Sequence, residues 1–494
     1  MPSLVAGPEG DGVRVRPIAL VADLLRALDR DGVVYCHWKS NEAIDRTLTA
    51  ENDLDLLVAR RDDTRFNATI HDLGFRIARP SPDRHVPGLV DYFGRDGDSG
   101  RMVHVQAHYQ LVLGDDMTKN FRLPLEEEYL ASRFLDGPVA VPSRAFELLI
   151  FVLRMVVKHC PWDTQVARQG RLTASERREL AFLSERSTTE ELEALRVQHL
   201  PFLSAELLAH CRATLHPDAS RWTRAVVGRR LVRVLEPFAR RPPATDLRLR
   251  LWRRLWRGHQ DGRPVSRRSL DTGGLLVGVL GGDGSGKSSA VAAVTETIAR
   301  RFPARAVHLG KPPRSRLTRV LGGTMRRLRV ASGTRALPAW TDWEAAGFPG
   351  HGFVLFHTLT ARDRHRLYRR ARRAADRGAI VISDRFPLEG ITLMDGPRTQ
   401  GLPGIQERPI ARWLSSREVR YYEAIKLPDL LVVLRVNPEV AVARRPEQDA
   451  DFVRRRAAEV WAHDWSDTGA TVVDASQPHQ AVLEQVHVAV WEAL

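Results

Sequence analysis

Cysteine is scarce in this 494-residue sequence. Its three cysteines, Cys36, Cys160 and Cys211, are widely spaced and form no CxxC or Cys/His pattern, which excludes a disulfide scaffold and a zinc site of the usual spacing. No apolar run approaches the roughly 20 residues that cross a bilayer, and the N-terminus "MPSLVAGPEGDGVRVRP" lacks the basic head and apolar core of a secretory signal. We therefore expect a cytoplasmic protein.

Lysine is also scarce, because only six of the 75 basic residues are lysine. The net charge of +15 is concentrated between Arg221 and Arg268, where fifteen arginines accompany three acidic residues. No nucleic-acid-binding motif and no aromatic stacking pattern accompanies this charge. We therefore expect no specific nucleic-acid partner.

The length exceeds the roughly 250–300 residues that one hydrophobic core usually supports, so we expect two or three domains. Alternating helical and extended patterns predict an α/β domain over 15–142. Helical patterns that open on Ser143, a candidate N-cap, predict a helical domain over 143–240. A Pro-, Gly- and Arg-rich linker over 241–269 and an α/β domain over 270–494 follow.

The linker contains the basic amphipathic stretch 246–257, "DLRLRLWRRLWR". In a helix Leu249, Trp252, Leu255 and Trp256 share one face, with arginines elsewhere. Such a face suits contact with an anionic membrane surface, and it equally suits packing between domains. Packing is the commoner fate of a short basic helix.

A phosphate-binding motif occurs more than halfway along the chain, in "LVGVLGGDGSGKSSAVAAV", residues 276–294. Gly281, Gly286, Lys287 and Ser288 satisfy G-x-x-x-x-G-K-[ST], between an apolar strand pattern and a helical pattern. Glycines let successive N–H groups turn onto phosphate oxygens, while the lysine and the serine reach the β/γ-phosphates and Mg²⁺. The predicted ATP contacts are Gly281, Gly282, Asp283, Gly284, Ser285, Gly286, Lys287, Ser288 and Ser289.

Five apolar runs separated by helical text predict a parallel sheet with flanking helices: 275–280, 306–309, 379–383, 430–436 and 471–475. The third run ends in "SDRF". Asp384 is thereby predicted at the carboxyl edge of the sheet beside the phosphate-binding loop, where an acid can hold Mg²⁺ and Arg385 can meet an anionic acceptor.

Five stretches in this order, "GGDGSGKSS", "LTARDRHRL", "GAIVISDRF", "PDLLVVLRVNPEVAVARR" and "VVDASQPHQAVLEQV", resemble thymidylate kinase and related P-loop nucleoside monophosphate kinases. The resemblance covers about 270–494. It implies an ATP- and Mg²⁺-dependent kinase that phosphorylates a small phosphorylated acceptor such as dTMP. Because thymidylate kinases commonly dimerise, it also implies a homodimer.

The resemblance assigns roles to further residues. Asp283 would contact the sugar hydroxyl of the acceptor, and Arg364 and Arg385 would hold its phosphate. Arg444 and Arg445 would belong to a lid over the transferred phosphoryl group. Asp474 and Ala475 would lie near the adenine of ATP.

The sequence departs from this family in three places. Leu280 precedes the loop where a glutamate is usual, and "DRFPLEGITLMDGP" replaces the tyrosine-glutamine element that recognises thymine. Residues 311–347 form a long basic stretch, which favours an anionic acceptor. Base recognition therefore has no support in the sequence.

In the N-terminal part, "DLDLLVA" places Asp53 and Asp55 two apart on a predicted strand, so both carboxylates face one side and can share Mg²⁺. With Lys39 and Ser40 upstream, residues 30–120 resemble the nucleotidyltransferase fold of the polymerase-beta type. That family has a Gly-Ser pair where Lys39 and Ser40 stand here, and it needs a third carboxylate on a later strand. The matching strand "RMVHVQAHYQLVL" offers only His104, Gln106 and His108 on its polar face. Because two-metal chemistry needs its full ligand set, a remodelled substrate-binding or regulatory domain is favoured over an active nucleotidyltransferase.

Three interpretations follow. The first is a kinase centred on the phosphate-binding loop, with Lys287, Asp384, Arg385, Arg444 and Arg445 as catalytic residues. The second is nucleotidyl transfer centred on Asp53 and Asp55, with the kinase-like part as an accessory. The third is a non-catalytic switch that binds ATP.

Overall fold

A computed structural model describes residues 15–82, 84–166, 170–258, 268–331, 347–388, 390–391 and 396–494. The chain divides into two compact units, Met1–Arg267 and Arg268–Leu494. No helix among the described residues is long and apolar enough to cross a membrane. The finer domain boundaries given above stay predictions.

The first unit is built on a mixed sheet. Its strands are β1 Tyr35–His37, β2 Leu54–Val58, β3 Arg76–Arg79, β4 Leu89–Arg95, β5 Met102–His108, β6 Leu111–Leu113, β7 Phe121–Leu123, β8 Phe134–Asp136 and β9 Val139–Val141. The order β1-β2-β5-β4-β3 forms the main sheet, in which only the β2–β5 pair is parallel. The strand predicted at "DLDLLVA" is thus confirmed as β2.

Helices surround this sheet and continue beyond it: α1 Ala19–Arg30, α2 Ile44–Leu48, α3 Asp63–Asp72, α4 Glu126–Ala131, α5 Arg144–His159, α6 Trp162–Val166, α7 Ala174–Glu185, α8 Thr189–His199, α9 Ala205–Thr214, α10 Arg221–Val234 and α11 Pro243–Gly258. Side-chain caps fix several starts. Ser143 accepts the N–H of Phe146, as predicted, and Thr173 and Thr188 each form a capping box. Helix α5 carries thirteen buried residues, so it lies at the centre of the core of this unit.

The segment predicted as a linker contains helix α11. The arginine-bearing side of this helix packs against other parts of the first unit. Arg254 contacts the buried carboxylates of Asp115 and Asp163 at 2.8 and 3.0 Å. Trp252 and Leu255 are 51% and 68% exposed. The helix therefore packs through its arginines, and membrane contact through 246–257 stays a prediction.

The second unit begins with the two-residue strand β10 Ser269–Leu270 and is built on a five-stranded parallel sheet: β11 Leu275–Gly281, β12 Ala304–His308, β13 Ile380–Asp384, β14 Leu430–Arg435 and β15 Thr471–Asp474. The order is β12-β13-β11-β14-β15. All five predicted strands are confirmed. The central strand β11 is buried along its whole length, because helices cover both faces of a parallel sheet.

The helices of this unit are α12 Lys287–Ala299, α13 Arg316–Ala331, α14 His351–Ala375, α15 Pro409–Glu423, α16 Pro438–Ala443, α17 Ala450–Ala462 and α18 His479–Glu492. The basic stretch 311–347 contains α13, and its residues 332–346 lie outside the described part. Residues 389 and 392–395 of the element that departs from the thymine-recognition sequence also lie outside it.

Candidate functional site

The predicted phosphate-binding loop joins β11 to α12 at the carboxyl edge of the parallel sheet. Gly284 and Gly286 have φ angles of +78° and +83°, a left-handed conformation that glycine adopts without strain. A Cβ atom added to Gly284 would lie 2.8 Å from the carbonyl oxygen of Ala441. Glycine is therefore required at 284 both by its conformation and by the close approach of another backbone segment.

Lys287, the first residue of α12, points back into this loop. Its Nζ donates to the carbonyl oxygen of Gly282 at 2.6 Å, and its side chain is buried. Burial and the neighbouring charge of Arg385 lower the pKa of Lys287 to about 8. A phosphate beside this ammonium would relieve both penalties.

The end of β13 brings Asp384 to the start of α12. The hydroxyl of Ser288 donates to Oδ2 of Asp384 at 2.7 Å. Oδ1 of Asp384 is buried and accepts no hydrogen bond from the described residues. A hard cation such as Mg²⁺ binds through one or two protein oxygens together with phosphate oxygens and water. The hydroxyl of Ser288 and the open carboxylate oxygen fit that requirement.

Asp283, inside the loop, is held by two arginines. Arg385 donates to its Oδ1 at 3.1 Å, and Arg456 on α17 donates to its Oδ2 at 2.6 Å. Arg385 has a φ of +61°, a strained conformation for a residue with a side chain. Strain of this kind is retained where the surrounding structure holds a side chain in a required position. Here the side chain of Arg385 is held across the loop against Asp283.

Arg364 lies on α14 and is 5% exposed. Its guanidinium donates to the carbonyls of Leu309 and Gly310 at 2.7 and 3.0 Å, and to the hydroxyl of Tyr422. These contacts fix the chain where it leaves β12. They favour a positioning role, and direct contact of Arg364 with an acceptor phosphate stays a prediction.

The predicted lid arginines differ from each other. Arg444 donates to the carbonyl of Ala475 at 2.7 Å and to that of Gly284 at 3.4 Å, so it ties the phosphate-binding loop to the chain after β15. Arg445 is half-exposed and contacts Glu447 at 3.3 Å. Asp474, also exposed, accepts the N–H of Ser476. Both arginines are exposed, but Arg444 is held by backbone carbonyls, whereas Arg445 contacts an acid of its own segment.

These elements surround a cleft of about 280 Å³. Its lining residues are Asp283, Gly284, Gly286, Lys287, Ser288, Ser289, His308, Lys311, Arg385, Arg445 and Gln448. The structure thus brings Asp384, Ser288, Lys287 and Arg385 together at one sheet edge. It also adds residues that the sequence reasoning missed.

The missed residues are His308, Lys311 and Arg456. His308 ends β12 and lies opposite Asp384 in the strand register, so its position at a carboxyl edge was a usable signal. Lys311 follows it within the same turn. Arg456 had no such signal, because it lies in the middle of a helix within an arginine-rich sequence.

Comparison with known proteins gives three similar curated proteins and no matching family. Two are "Uncharacterized ATP-binding protein YghR" from Escherichia coli strains K12 and O6:H1, each 25% identical over 230 residues. The third is "Uncharacterized ATP-binding protein YghS" from strain K12, 24% identical over 227 residues. The matches span 43–44% of this chain and 86–93% of the relatives. No protein-family model matches the sequence.

The N-terminal acids are brought together, but each has a local partner. Asp53 lies 2.8 Å from Nδ1 of His104. Asp55 lies 2.9 Å from Nζ of Lys39 and 3.2 Å from Nε2 of His108. Burial would raise the pKa of Asp55, but the charge of Lys39 and the hydrogen bond from His108 outweigh it and hold the pKa well below its ordinary value.

A third carboxylate does lie nearby, on β4 rather than on β5. Asp91 accepts from Nε2 of His104 at 2.8 Å, so His104 bridges Asp53 and Asp91. Burial disfavours a charged His104, but the two carboxylates outweigh it and raise its pKa. In the described part of the chain, no three His, Cys, Asp or Glu side chains are grouped to hold a metal ion. A metal-binding role for Asp53 and Asp55 stays a prediction.

Proposed function

We propose that this protein is an ATP- and Mg²⁺-dependent phosphotransferase whose second unit phosphorylates a small phosphorylated acceptor. A nucleoside monophosphate such as dTMP is the first candidate. The observation that carries the proposal is Asp384, whose open oxygen lies beside Ser288 and the phosphate-binding loop. The names of the Escherichia coli relatives, which describe ATP-binding proteins, support the ATP half of the proposal.

The loop would receive the β- and γ-phosphates of ATP. Backbone N–H groups of the glycine-rich turn and the N-terminus of α12 supply donors and a positive dipole end. Lys287 would exchange its bond to the Gly282 carbonyl for a phosphate oxygen. Ser288 and Asp384 would hold Mg²⁺, which would supply positive charge beside the phosphates.

The arginines would supply the rest of the stabilisation. Phosphoryl transfer depends on positive charge placed where negative charge develops. Arg385 and Arg456 converge on Asp283, so an acceptor phosphate that binds there gains two guanidinium partners. Arg445 borders the same cleft. With both arginines on the acceptor phosphate, the carboxylate of Asp283 would be free to accept a hydrogen bond from a hydroxyl of the acceptor.

Release of ADP from Mg·ATP tests the proposal. We would measure it with a panel of acceptors led by dTMP, on the wild type and on Lys287→Ala. Turnover should depend on an added acceptor. It should fall at least about 100-fold in Lys287→Ala, because the positive charge beside the transferred phosphoryl group is lost. Lys426→Met, an exposed lysine outside the cleft, is the matched control. A rate of ADP release that does not change with any added acceptor would contradict the proposed kinase activity.

A further inference from the structure

Lysines are placed very unevenly in the structure. The six lysines are Lys39, Lys119, Lys158, Lys287, Lys311 and Lys426. Two line the cleft at the phosphate-binding loop. Three others, Lys39, Lys119 and Lys158, line a cavity of about 380 Å³ in the first unit. Lysine thus persists at two cavities in a chain that otherwise uses arginine, and a lysine ammonium is a compact point charge suited to phosphate.

The three cavity lysines come from separate parts of the first unit. Lys39 follows β1, Lys119 precedes β7, and Lys158 lies near the end of α5. Their side chains are 24%, 30% and 25% exposed, so a ligand can reach ammonium groups that are partly shielded from water. Burial lowers the pKa of Lys119, and so do the nearby charges of Lys39 and Lys158. Three positive groups therefore converge.

Strained backbone supports two walls of this cavity. Ser40 and Lys119 have φ angles of +59° and +48°, and they are two of four non-glycine residues with positive φ in the described part of the chain. A third is Arg385 at the phosphate-binding loop. Buried Glu179 holds the Ser40 turn by accepting its N–H at 3.0 Å. Such strain concentrates at binding sites.

One acidic partner of these lysines is exposed to water, although Lys158 also contacts Glu176 at 3.0 Å, whose side chain is 11% exposed. Asp116 lies 2.8 Å from Lys119 and 3.0 Å from Lys158, and its side chain is 54% exposed. A bound anion could replace it and release it to water. Lys39 instead pairs with Asp55. Its ammonium thereby contacts the carboxylate that a metal ion would otherwise use.

We propose that this cavity binds a phosphate ester of a hydroxylated compound, with the phosphate among Lys39, Lys119 and Lys158. A phosphate dianion offers three acceptor oxygens to three ammonium groups. Gln110 and Ser175, on the wall, present neutral polar groups to hydroxyls. Binding needs no Mg²⁺, because the ammonium of Lys39 has three donors and can contact Asp55 and the phosphate together. The site lies wholly in the first unit, so it is separate from the function proposed above.

Lysine labelling on the full chain tests this site. The wild type is acetylated in EDTA with and without ribose 5-phosphate, glucose 6-phosphate or glycerol 3-phosphate, and each lysine is quantified by mass spectrometry. At a ligand concentration well above Kd, at least one ester should slow labelling of Lys39, Lys119 and Lys158 about fivefold or more, while Lys426 is unchanged. Ribose should give no protection. Lys287 and Lys311 report the other cleft separately.

Calorimetry with the protecting ester adds a second readout. Lys119→Met should weaken binding about tenfold, because one charge-assisted contact is lost. Lys426→Met should leave binding unchanged. The proposal is overturned if none of the three esters protects the cavity lysines, or if protection requires Mg²⁺. It is equally overturned if inorganic phosphate protects as well as the esters do, since the hydroxylated part then contributes nothing.

Discussion

The two units each place aspartates at a strand of a sheet, yet the aspartates have opposite surroundings. In the second unit Asp384 contacts a serine hydroxyl and keeps one buried oxygen open. In the first unit Asp53 and Asp55 are paired with His104, His108 and Lys39. An acid that keeps an open oxygen can hold a cation, whereas an acid with basic partners is already neutralised. The partners, rather than the aspartates, decide the chemistry.

The largest expected difference between the units concerns turnover. Asp384→Asn should lower Mg²⁺-dependent ADP release at least about 100-fold, because the oxygen that supports Mg²⁺ loses its charge. Asp53→Asn should change it by less than about twofold, since only the pair with His104 is altered. Steady-state rates at several Mg²⁺ concentrations measure both. Equal losses in the two variants would show that both acid groups serve one reaction.

A smaller effect separates two arginines of α17. Arg456 contacts Asp283 in the cleft, while Arg454 contacts Glu439 and Asp451 on the surface. Arg456→Leu should raise the KM for the acceptor about tenfold, because one guanidinium partner is lost. Arg454→Leu is the matched control and should leave KM unchanged. Identical behaviour of the two variants would remove Arg456 from the site.

The stability of the first unit should depend on pH. Burial raises the pKa of Glu147 to about 7 from an ordinary value of 4.5. The folded state then binds more protons than the unfolded state between these values, so stability falls as pH rises from 4.5 to 7, by up to about 3 kcal/mol. Glu147→Gln should flatten this dependence in urea unfolding at pH 5 and 7.5. An unchanged slope would assign it to other groups.

The smallest effect is a proton taken up at Lys287. Its pKa of about 8 lies below the ordinary 10.5, and a bound phosphate should raise it again. ATP binding at pH 8.5 should therefore take up a large fraction of one proton and at pH 6.5 almost none. Calorimetry in buffers of different ionisation enthalpy measures this. Uptake that persists in Lys287→Ala would point to another group.

Local patterns were sufficient to predict much of the second unit. The five strands follow from apolar runs, and the loop follows from glycine spacing, because both depend on residues close in sequence. The place of Asp384 was predicted for the same reason, since it directly follows an apolar run, and it is the last residue of β13. Arg456 was not, because its contact with Asp283 joins positions 173 residues apart.

The first unit was harder to interpret for the same physical reason. The spacing of Asp53 and Asp55 predicted that both face one side, and in the structure both contact histidines of β5, Asp55 from β2 and Asp53 from the residue before it. It could not indicate that Lys39 would pair with Asp55, because that depends on how β1 and β2 meet. Asp91 was likewise missed, since it lies on a strand whose sequence neighbours carry no related motif.

The most direct test of the central claim follows the γ-phosphoryl group itself. The protein is incubated with ATP labelled with ¹⁸O in the γ-phosphate, Mg²⁺ and the acceptor panel, and the products are identified by mass spectrometry. Our account predicts that the label appears in a phosphorylated acceptor. It also predicts that variants in which Ser288, Asp384 or Lys287 is replaced form no labelled acceptor. Label found only in inorganic phosphate would indicate an ATP-driven switch, and labelled pyrophosphate would indicate nucleotidyl transfer. Either result would contradict a kinase.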